Sequence, residues 1–441
     1  MTGLAPEANQ TVLVVGNGAR EHALVWKLLQ SPQVSRVIIA PGNGAYAGMA
    51  RVVQLPLAVD DTAGIAQAAK THGATFALIG PEAALAAGVV DSLSAVGVPA
   101  FGPNQAAAQL ESSKAYAKHF MQAAGIPTAD FAVFTDYAAA LSFVRSKPFN
   151  PQGACVVIAD GLAAGKGVAV CFDMAQAEAG LANIMRDQAY GAAGAQVVVE
   201  ALLPGREISI LAFCDGKTVR RMPAARDHKR LLTGDLGPNT GGMGAFSPVA
   251  DITPALLAQI DARVFEPFLA QLKAQNLSYC GVMYAGLMID ALPNGESKIG
   301  VLEFNTRFGD PETQVLMGLL DDDLLAIMQA CVAGDLAARP VRWAQRACLT
   351  VVMAASGYPD APVAGDAIAL PADLPANVAI FQAGTRLQNG VLCTAGGRVL
   401  SVTSWGESVA AARQSAYDTV ARISFQGAQV RTDISLTQGA Q

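Results

Sequence analysis

At 441 residues the chain exceeds one ordinary compact unit, and length alone suggests two to four. Apolar residues make up 52% and aromatic ones only 6%, so small aliphatic side chains can build a large core without staples. The formal charge of −6, with no basic run, argues against nucleic acid as a main partner, and no uncharged apolar run approaches the roughly 18 residues of a membrane span.

The first ten residues lack a basic start and an apolar stretch, and read as a loose tail rather than a secretory signal. Thr11 to Val15 reads as a buried parallel strand ending in Gly16-Asn17-Gly18, with a helix from Glu21 to Gln30. Strands at Val37 to Ala40 and Phe76 to Ile79 follow, each running into a glycine turn, the second being Gly80-Pro81-Glu82. Strand, glycine turn, helix, strand is the doubly wound pattern, so residues 11–112 are expected to form a small α/β domain with ligands at the carboxyl ends of its strands.

A linker helix is expected over 113–127, from Lys114 to Gly125, ended by Ile126-Pro127-Thr128. Val156 to Ile158 and Gly167 to Cys171 read as strands around a Gly/Ala-rich loop, making 128–200 a small α+β lid. Residues 201–335 are expected to form the main body, with strands Val197 to Glu200, Ile208 to Cys214, Gly281 to Asp290 and Ile299 to Asn305 in the larger sheet. Residues 340–436 alternate strands and turns, including Cys348 to Ala354 and Ala379 to Ala383. A helix near Glu407 to Arg422 closes this mostly β cap. Seven scattered cysteines without CxxC or CxxxC spacing imply reduced thiols and a cytoplasmic protein.

The densest chemistry lies in Leu302 to Gln314. Strand period puts Glu303 and Asn305 on one face, and two hard oxygen donors there suit Mg²⁺ beside a phosphate. Arg307, two residues on, can hold a carboxylate or phosphate in a bidentate fork. The plainer alternative is a strand end with ordinary polar residues. Gly16-Asn17-Gly18 can set a helix N-terminus against a phosphate, although Glu21 stands where the dinucleotide pattern wants a third glycine. Glu82, after a strand end, suits ribose hydroxyls or an amine, or is simply solvated. In Gly161-Leu162-Ala163-Ala164-Gly165-Lys166-Gly167, small residues let the backbone approach phosphate oxygens, and Lys166 adds a point charge. No Ser/Thr and helix follow, so it is not a P-loop, and a mobile β-turn remains the alternative. Asp227-His228-Lys229-Arg230 gathers one acid and three basic side chains ahead of the turn-forming run Gly237 to Gly242, with an exposed loop as the alternative. None of the four histidines is spaced with another for chelation.

Together these motifs, with Gly16 to Leu24 and Asp227 to Ala245, resemble the glycinamide ribonucleotide synthetase family of the ATP-grasp superfamily, from about Val12 to about Ile434. The resemblance implies a multi-domain α/β ATP-grasp fold: an N-terminal doubly wound (pre-ATP-grasp) domain, a small α+β lid and a mostly β C-terminal cap. It implies ATP-dependent ligation of glycine to phosphoribosylamine, with ATP and Mg²⁺ or Mn²⁺ as cofactors, in a cytoplasmic monomer. Carried over residue by residue, Glu303 and Asn305 hold the metal. Lys114, Gly161, Gly165, Lys166, Glu200, Leu202 and Glu207 meet ATP, Glu200 at the adenine and Glu207 at the ribose. Gly18, Arg20, Glu82, Asp227, Lys229, Asn239, Thr240, Gly241, Arg307, Asp310 and Pro311 line the substrates. Arg307, Lys166 and Asp227 act in catalysis, with Arg307 stabilising the acyl phosphate or the tetrahedral oxyanion.

Three departures from the family pattern stand out. Ile158 replaces a lysine that contacts an ATP phosphate, which removes a positive charge from the polyphosphate site. Ala19 replaces a glycine, and its Cβ is expected to crowd the phosphoribosyl phosphate or change which substrate fits. Ser435-Leu436-Thr437 replaces a Gly-aromatic-Arg ending. The chain therefore reads as the family's ligase, as a paralogue joining another carboxylate and amine, or as a weakly active nucleotide-binding relative.

Overall fold

Val12 to Val15 are aliphatic and wholly buried, as the central strand of a sheet covered on both faces must be. In the computed structural model, which describes residues 9–163, 167–292 and 297–436, this strand runs Gln10–Gly16. It pairs in parallel with Val34–Pro41 on one side and Phe76–Ile79 on the other. Val52–Gln54 and Ala100–Phe101 extend the sheet to five parallel strands. Its neighbours lead off in opposite directions, so the end of the first strand is a topological switch point.

The N-terminal domain does not stand alone. Val12, Leu24 and Leu28 share one apolar cluster with Phe213, Phe308, Leu316 and Leu325 of the central body. That body has an antiparallel sheet in the order Val219–Arg221, Arg206–Cys214, Gly281–Ala291, Ser297–Asn305. One face rests on the helices Lys114–Ala124 and Glu266–Ala274 through Phe120, Phe268 and Phe304.

The lid sheet runs Phe131–Phe134, Val197–Glu200, Cys155–Ala159, Val168–Cys171, all antiparallel, so Val197–Glu200, expected in the larger main sheet, belongs instead to the lid, where its two neighbours are lid strands. Val157 and Val199 pack on the helices Tyr137–Arg145 and Met174–Leu181. Val156, Ile158 and Val198 take the other face, toward Ala115.

The cap sheet reaches back into the middle of the chain. Its strands Ala347–Ala354, Arg398–Gly406 and Val378–Gln382 are joined by Arg226–Asp227 and Gly244–Ser247, which the sequence reading had placed in the main body. Asp227 therefore sits on the edge strand of the cap sheet. Among the described residues no helix is long and apolar enough to cross a membrane, and all seven cysteines are free thiols.

Candidate active site

The strand Ser297–Asn305 begins with Ile299 and Val301 in the core beneath the main sheet. Unbroken alternation would send Glu303 and Asn305 into that core as well. Instead the register against Gly281–Ala291 shifts: Leu287 faces Val301 and Gly286 faces Glu303, which leaves Leu302 bulged. Beyond the bulge, Phe304 takes the core side, while Glu303 and Asn305 turn to the cleft. Sequence reading put these two on a shared face, but the bulge is what aims that face. It is clamped from outside. Val301 N–H donates to Pro127 O at 2.7 Å, Thr128 Oγ1 donates to Val301 O at 2.7 Å, and Lys118 Nζ donates to Leu302 O at 3.2 Å.

Lys114 starts the helix that Ser113 caps. Asp160 accepts from both Ser113 Oγ and the Ala115 N–H at 3.0 Å, tying the entry of the Gly/Ala loop to this helix end. Lys114 Nζ makes a short ion pair with Glu303. Burial pushes the Glu303 carboxyl up, but Lys114, Lys229 and Arg307 outweigh it and hold it at about 2. Glu303 is thus anionic at any working pH. Asn305 Nδ2 sits 3.5 Å from Glu303 Oε1. An ionised carboxylate beside a carboxamide suits a hard divalent cation. Among the described residues no group of three or more His, Cys, Asp or Glu could hold a metal, so such an ion would draw its other ligands from phosphate and water.

These residues line a cleft of about 140 Å³ between lid and main sheet, together with Glu82, Glu111, Ile158, Gly161 and Arg307. Arg307 is pinned by its Nη groups: Nη2 to Glu111 Oε1 at 2.9 Å and Asn305 Oδ1 at 3.3 Å, Nη1 to Phe308 O at 3.2 Å. Its Nε lies 3.5 Å from Glu82 Oε2 and is a buried donor with no hydrogen-bond partner among the described residues. The Glu82 carboxyl, pushed up by burial, is brought below its ordinary value by Arg307 and Arg20. Ile158 presents an apolar side chain to this charged cleft. Gly165 and Lys166 lie outside the described residues.

At the switch point, Glu21 explains the missing third glycine. Its Oε2 accepts from the Gly18 N–H at 2.7 Å and its Oε1 from Arg20 Nε at 2.6 Å. A Cβ on Gly80 would lie 2.0 Å from Glu21 Oε1, so the strand-end glycines make room for this carboxylate. Arg20 Nη1 donates to Phe308 O at 3.1 Å, which brings Arg20 and Arg307 onto one carbonyl. Ala19 beside this turn is 1% exposed and belongs to the domain core.

A Cβ on Gly18 would meet Asp310 Oδ2 at 3.2 Å, so Asp310 faces the turn. Burial pushes its carboxyl up, but Arg398 and Arg20 bring it below its ordinary value. Arg398, from the cap, donates to Asp310 O at 2.8 Å and Gly241 O at 2.7 Å. Tyr358 OH accepts from the Gly241 N–H at 3.1 Å. Thr240 is folded back on Lys229 O, and Gly242 has no room for a Cβ beside Pro311. Asn239 is exposed at the end of the hairpin strand Leu236–Asn239.

Lys229 Nζ sits 2.8 Å from Glu207 Oε1 and 3.7 Å from Asp227 Oδ2. Burial, opposed by Lys229 and reinforced by Glu312 and Glu207, raises the Asp227 carboxyl to about 7. Glu312 Oε1 accepts from Ser209 Oγ at 3.0 Å and Tyr284 OH at 2.8 Å, a buried group behind them. Glu200, expected at the adenine, is 4% exposed and paired with Lys118 Nζ at 2.5 Å, while Leu202 stays 36% exposed. Glu111, Lys118, Arg398 and Tyr358 are the partners that sequence reasoning missed. A carboxylate at position 111, just before Ser113-Lys114, was the only available hint, and the other three carried none.

A doubly wound domain followed by a lid and a main sheet that grip a cleft of paired charges is the ATP-grasp architecture. Family profiles for phosphoribosylglycinamide synthetase match in order: the N domain over residues 10–111, the ATP-grasp (A) domain over 112–313 and the C domain over 348–437. The chain is 48% identical to the phosphoribosylamine–glycine ligase of Nostoc sp., over 96% of its own length and 98% of that protein. It is 46% identical to part of the trifunctional purine biosynthetic protein adenosine-3 of Gallus gallus, over 96% of its own length and 42% of that protein. The crystal structure of phosphoribosylamine–glycine ligase from Thermotoga maritima superposes with a TM-score of 0.82 at 34% identity, covering 96% of this chain and all (100%) of that one. A biotin carboxylase domain from Hydrogenobacter thermophilus, solved with MgADP and bicarbonate, shares the fold at a TM-score of 0.69 and 14% identity, covering 96% and 91% of the two chains. The chain belongs to the phosphoribosylamine–glycine ligase family, and its ATP-grasp fold implies ATP binding.

Proposed function

We propose that the chain joins glycine to 5-phosphoribosylamine at the expense of ATP, giving glycinamide ribonucleotide, ADP and phosphate in purine synthesis. The observation that carries this reading is Arg307: its guanidinium is locked by its Nη groups, while its buried Nε N–H has no hydrogen-bond partner among the described residues. It stands between the Lys114–Glu303 cleft and the N-terminal turn, where one anionic group can meet it from either side.

Glycine's carboxylate takes the γ-phosphoryl group of ATP, forming glycyl phosphate as the P–O bond to ADP breaks. Lys114 and the backbone around Gly161 hold the polyphosphate, with Gly165 and Lys166 assigned to the same task. Leu202 borders the adenine pocket and Glu207 the ribose. Glu303 and Asn305 would hold Mg²⁺ or Mn²⁺, which would supply charge neutralisation beside the phosphates. The phosphoribosyl phosphate lies at Gly18 and Arg20, and Glu82 and Asp310 receive the ribose and amine. The amine attacks the acyl carbon, phosphate leaves, and Arg307 stabilises the oxyanion between. Asp227, raised to about 7, is suited to accept the proton the amine gives up. Thr240, Gly241 and Pro311 line the acceptor loop, with Lys229 behind them and Asn239 at its rim. On this reading the chain works in the cytoplasm as a monomer.

The test is phosphate release from MgATP with glycine and freshly generated phosphoribosylamine, each omitted in turn. Release that needs all three, with glycinamide ribonucleotide formed, supports the reading. Release with a different amino acid or amine, and none with this pair, would replace it with that of a repurposed ligase.

A further inference from the structure

Glu111 lies in the last turn of the helix Gln105–Ser112, and the catalytic roles above leave it unassigned. It is 5% exposed. One carboxylate oxygen accepts from Arg307 Nη2 at 2.9 Å. The other accepts from the Thr306 N–H at 2.7 Å and from Thr306 Oγ1 at 3.3 Å. A single buried carboxylate thus fixes both the backbone that presents Arg307 and the guanidinium itself. Asn305 Oδ1 and Phe308 O complete the hold on the two Nη atoms, and Nε is the one guanidinium nitrogen left without a hydrogen-bond acceptor among the described residues.

Resting on the role proposed for Arg307, we infer that Glu111 is a positioning residue for the ligation: it orients Arg307 so that its free Nε N–H meets the developing charge of the acyl group. Glu111 reaches Arg307 from the helix that leads to Ser113 and Lys114, which couples the phosphate-binding lysine to the acyl-stabilising arginine. Glu82 is the second carboxylate beside Arg307, but at 3.5 Å and part-exposed it is the one that substrate can displace. Glu111 is enclosed and stays. The geometry therefore separates a permanent partner from an exchangeable one, as catalytic preorganisation requires.

The experiment is a kinetic double-mutant cycle on the full chain with Glu111→Gln, Arg307→Lys and both together, and with Glu111→Asp in parallel should the glutamine variant fold poorly. Glu111→Gln keeps an acceptor for Thr306 but removes the charge that steers Arg307. The expected result is a fall in kcat of about tenfold or more with the KM for ATP within about twofold, partial recovery in Glu111→Asp, and a double variant no slower than Arg307→Lys alone. A purely structural glutamate would lower the thermal midpoint and leave that cycle additive. Multiplying effects in the double variant, or a normal kcat in Glu111→Gln beside a crippled Arg307→Lys, would overturn the inference and spare the role of Arg307. Normal kcat in Arg307→Lys would overturn both.

Discussion

Lys118 is a buried lysine on which three parts of the catalytic body meet, and replacing it with methionine tests how the site is held together. Its ammonium is 1% exposed and contacts Glu200 Oε2 at 2.5 Å, Thr128 Oγ1 at 2.7 Å and the bulged Leu302 carbonyl at 3.2 Å. Methionine fills similar space and leaves the Glu200 carboxylate enclosed without its cation, a change that typically costs about 3–5 kcal/mol. Burial already raises the Glu200 carboxyl above its ordinary 4.5, with Lys118 opposing. Without Lys118 it protonates instead, and holding a carboxyl of ordinary value 4.5 neutral at pH 7 costs about 3.4 kcal/mol. Two lost hydrogen bonds from a charged donor add about 1 kcal/mol or more each. The folded carboxyl then stands above its unfolded value, so the variant gains stability on acidification. Its deficit, about 5 kcal/mol at pH 7, should shrink by roughly 2.7 kcal/mol at pH 5. Urea unfolding of wild type, Lys118→Met and Lys118→Met/Glu200→Leu at both pH values measures this. The double variant should recover most of the loss, because removing both charges leaves nothing stranded. A deficit below about 1 kcal/mol, or one independent of pH, would refute the reasoning.

Three further outcomes are expected. Ile158→Lys places a cation in the cleft beside Glu82, Glu111 and Glu303; it should tighten a non-hydrolysable ATP analogue about tenfold in calorimetric titration, at a stability cost of about 1–2 kcal/mol from lost packing on Val156 and Val198. Weaker nucleotide binding would contradict it. Glu303→Gln removes a carboxylate that is ionised down to about pH 2; Mn²⁺ binding followed by electron paramagnetic resonance in the presence of ATP should weaken by roughly tenfold or more, and unchanged binding would remove Glu303 from the metal site. With Asp227 at about 7 and working as the anion, kcat/KM should rise about tenfold per pH unit up to pH 7 and then level, a limb that Asp227→Asn abolishes. The same group, raised from an ordinary 3.8, favours the folded state most below about pH 4 and loses that contribution as pH rises through 7.

The strands were legible because their residues obey a local rule. Phe76–Ile79 is four consecutive buried apolar residues, and the first strand and its glycine turn sit where alternation and turn chemistry place them. The lid hairpin and the main-sheet strands were legible on the same grounds, with ends displaced by a residue or two. The acidic and amide pair at Glu303 and Asn305 was visible as well, because period two survives locally. What period two could not supply was which way that pair faces. Ile299, Val301 and Glu303 are in phase by number, and only the extra residue at Leu302 takes Glu303 out of the core. The clamp that holds the bulge comes from Lys118 and from Pro127-Thr128, well over a hundred residues earlier, so no window around the strand contains its cause. Arg226–Asp227 followed the same logic, since a two-residue strand takes its sheet from its partner, here the strand Gly244–Ser247, which in turn pairs with the cap. Glu21 shows the converse. Read against a dinucleotide pattern it looked like a defect, yet it fills the space that Gly16 and Gly80 leave and accepts the Gly18 N–H that a phosphate would otherwise claim. A phosphate at this turn must therefore be met mainly by Arg20 and by the helix end beyond Gly18, which ties affinity there to a side chain that Glu21 itself holds in place.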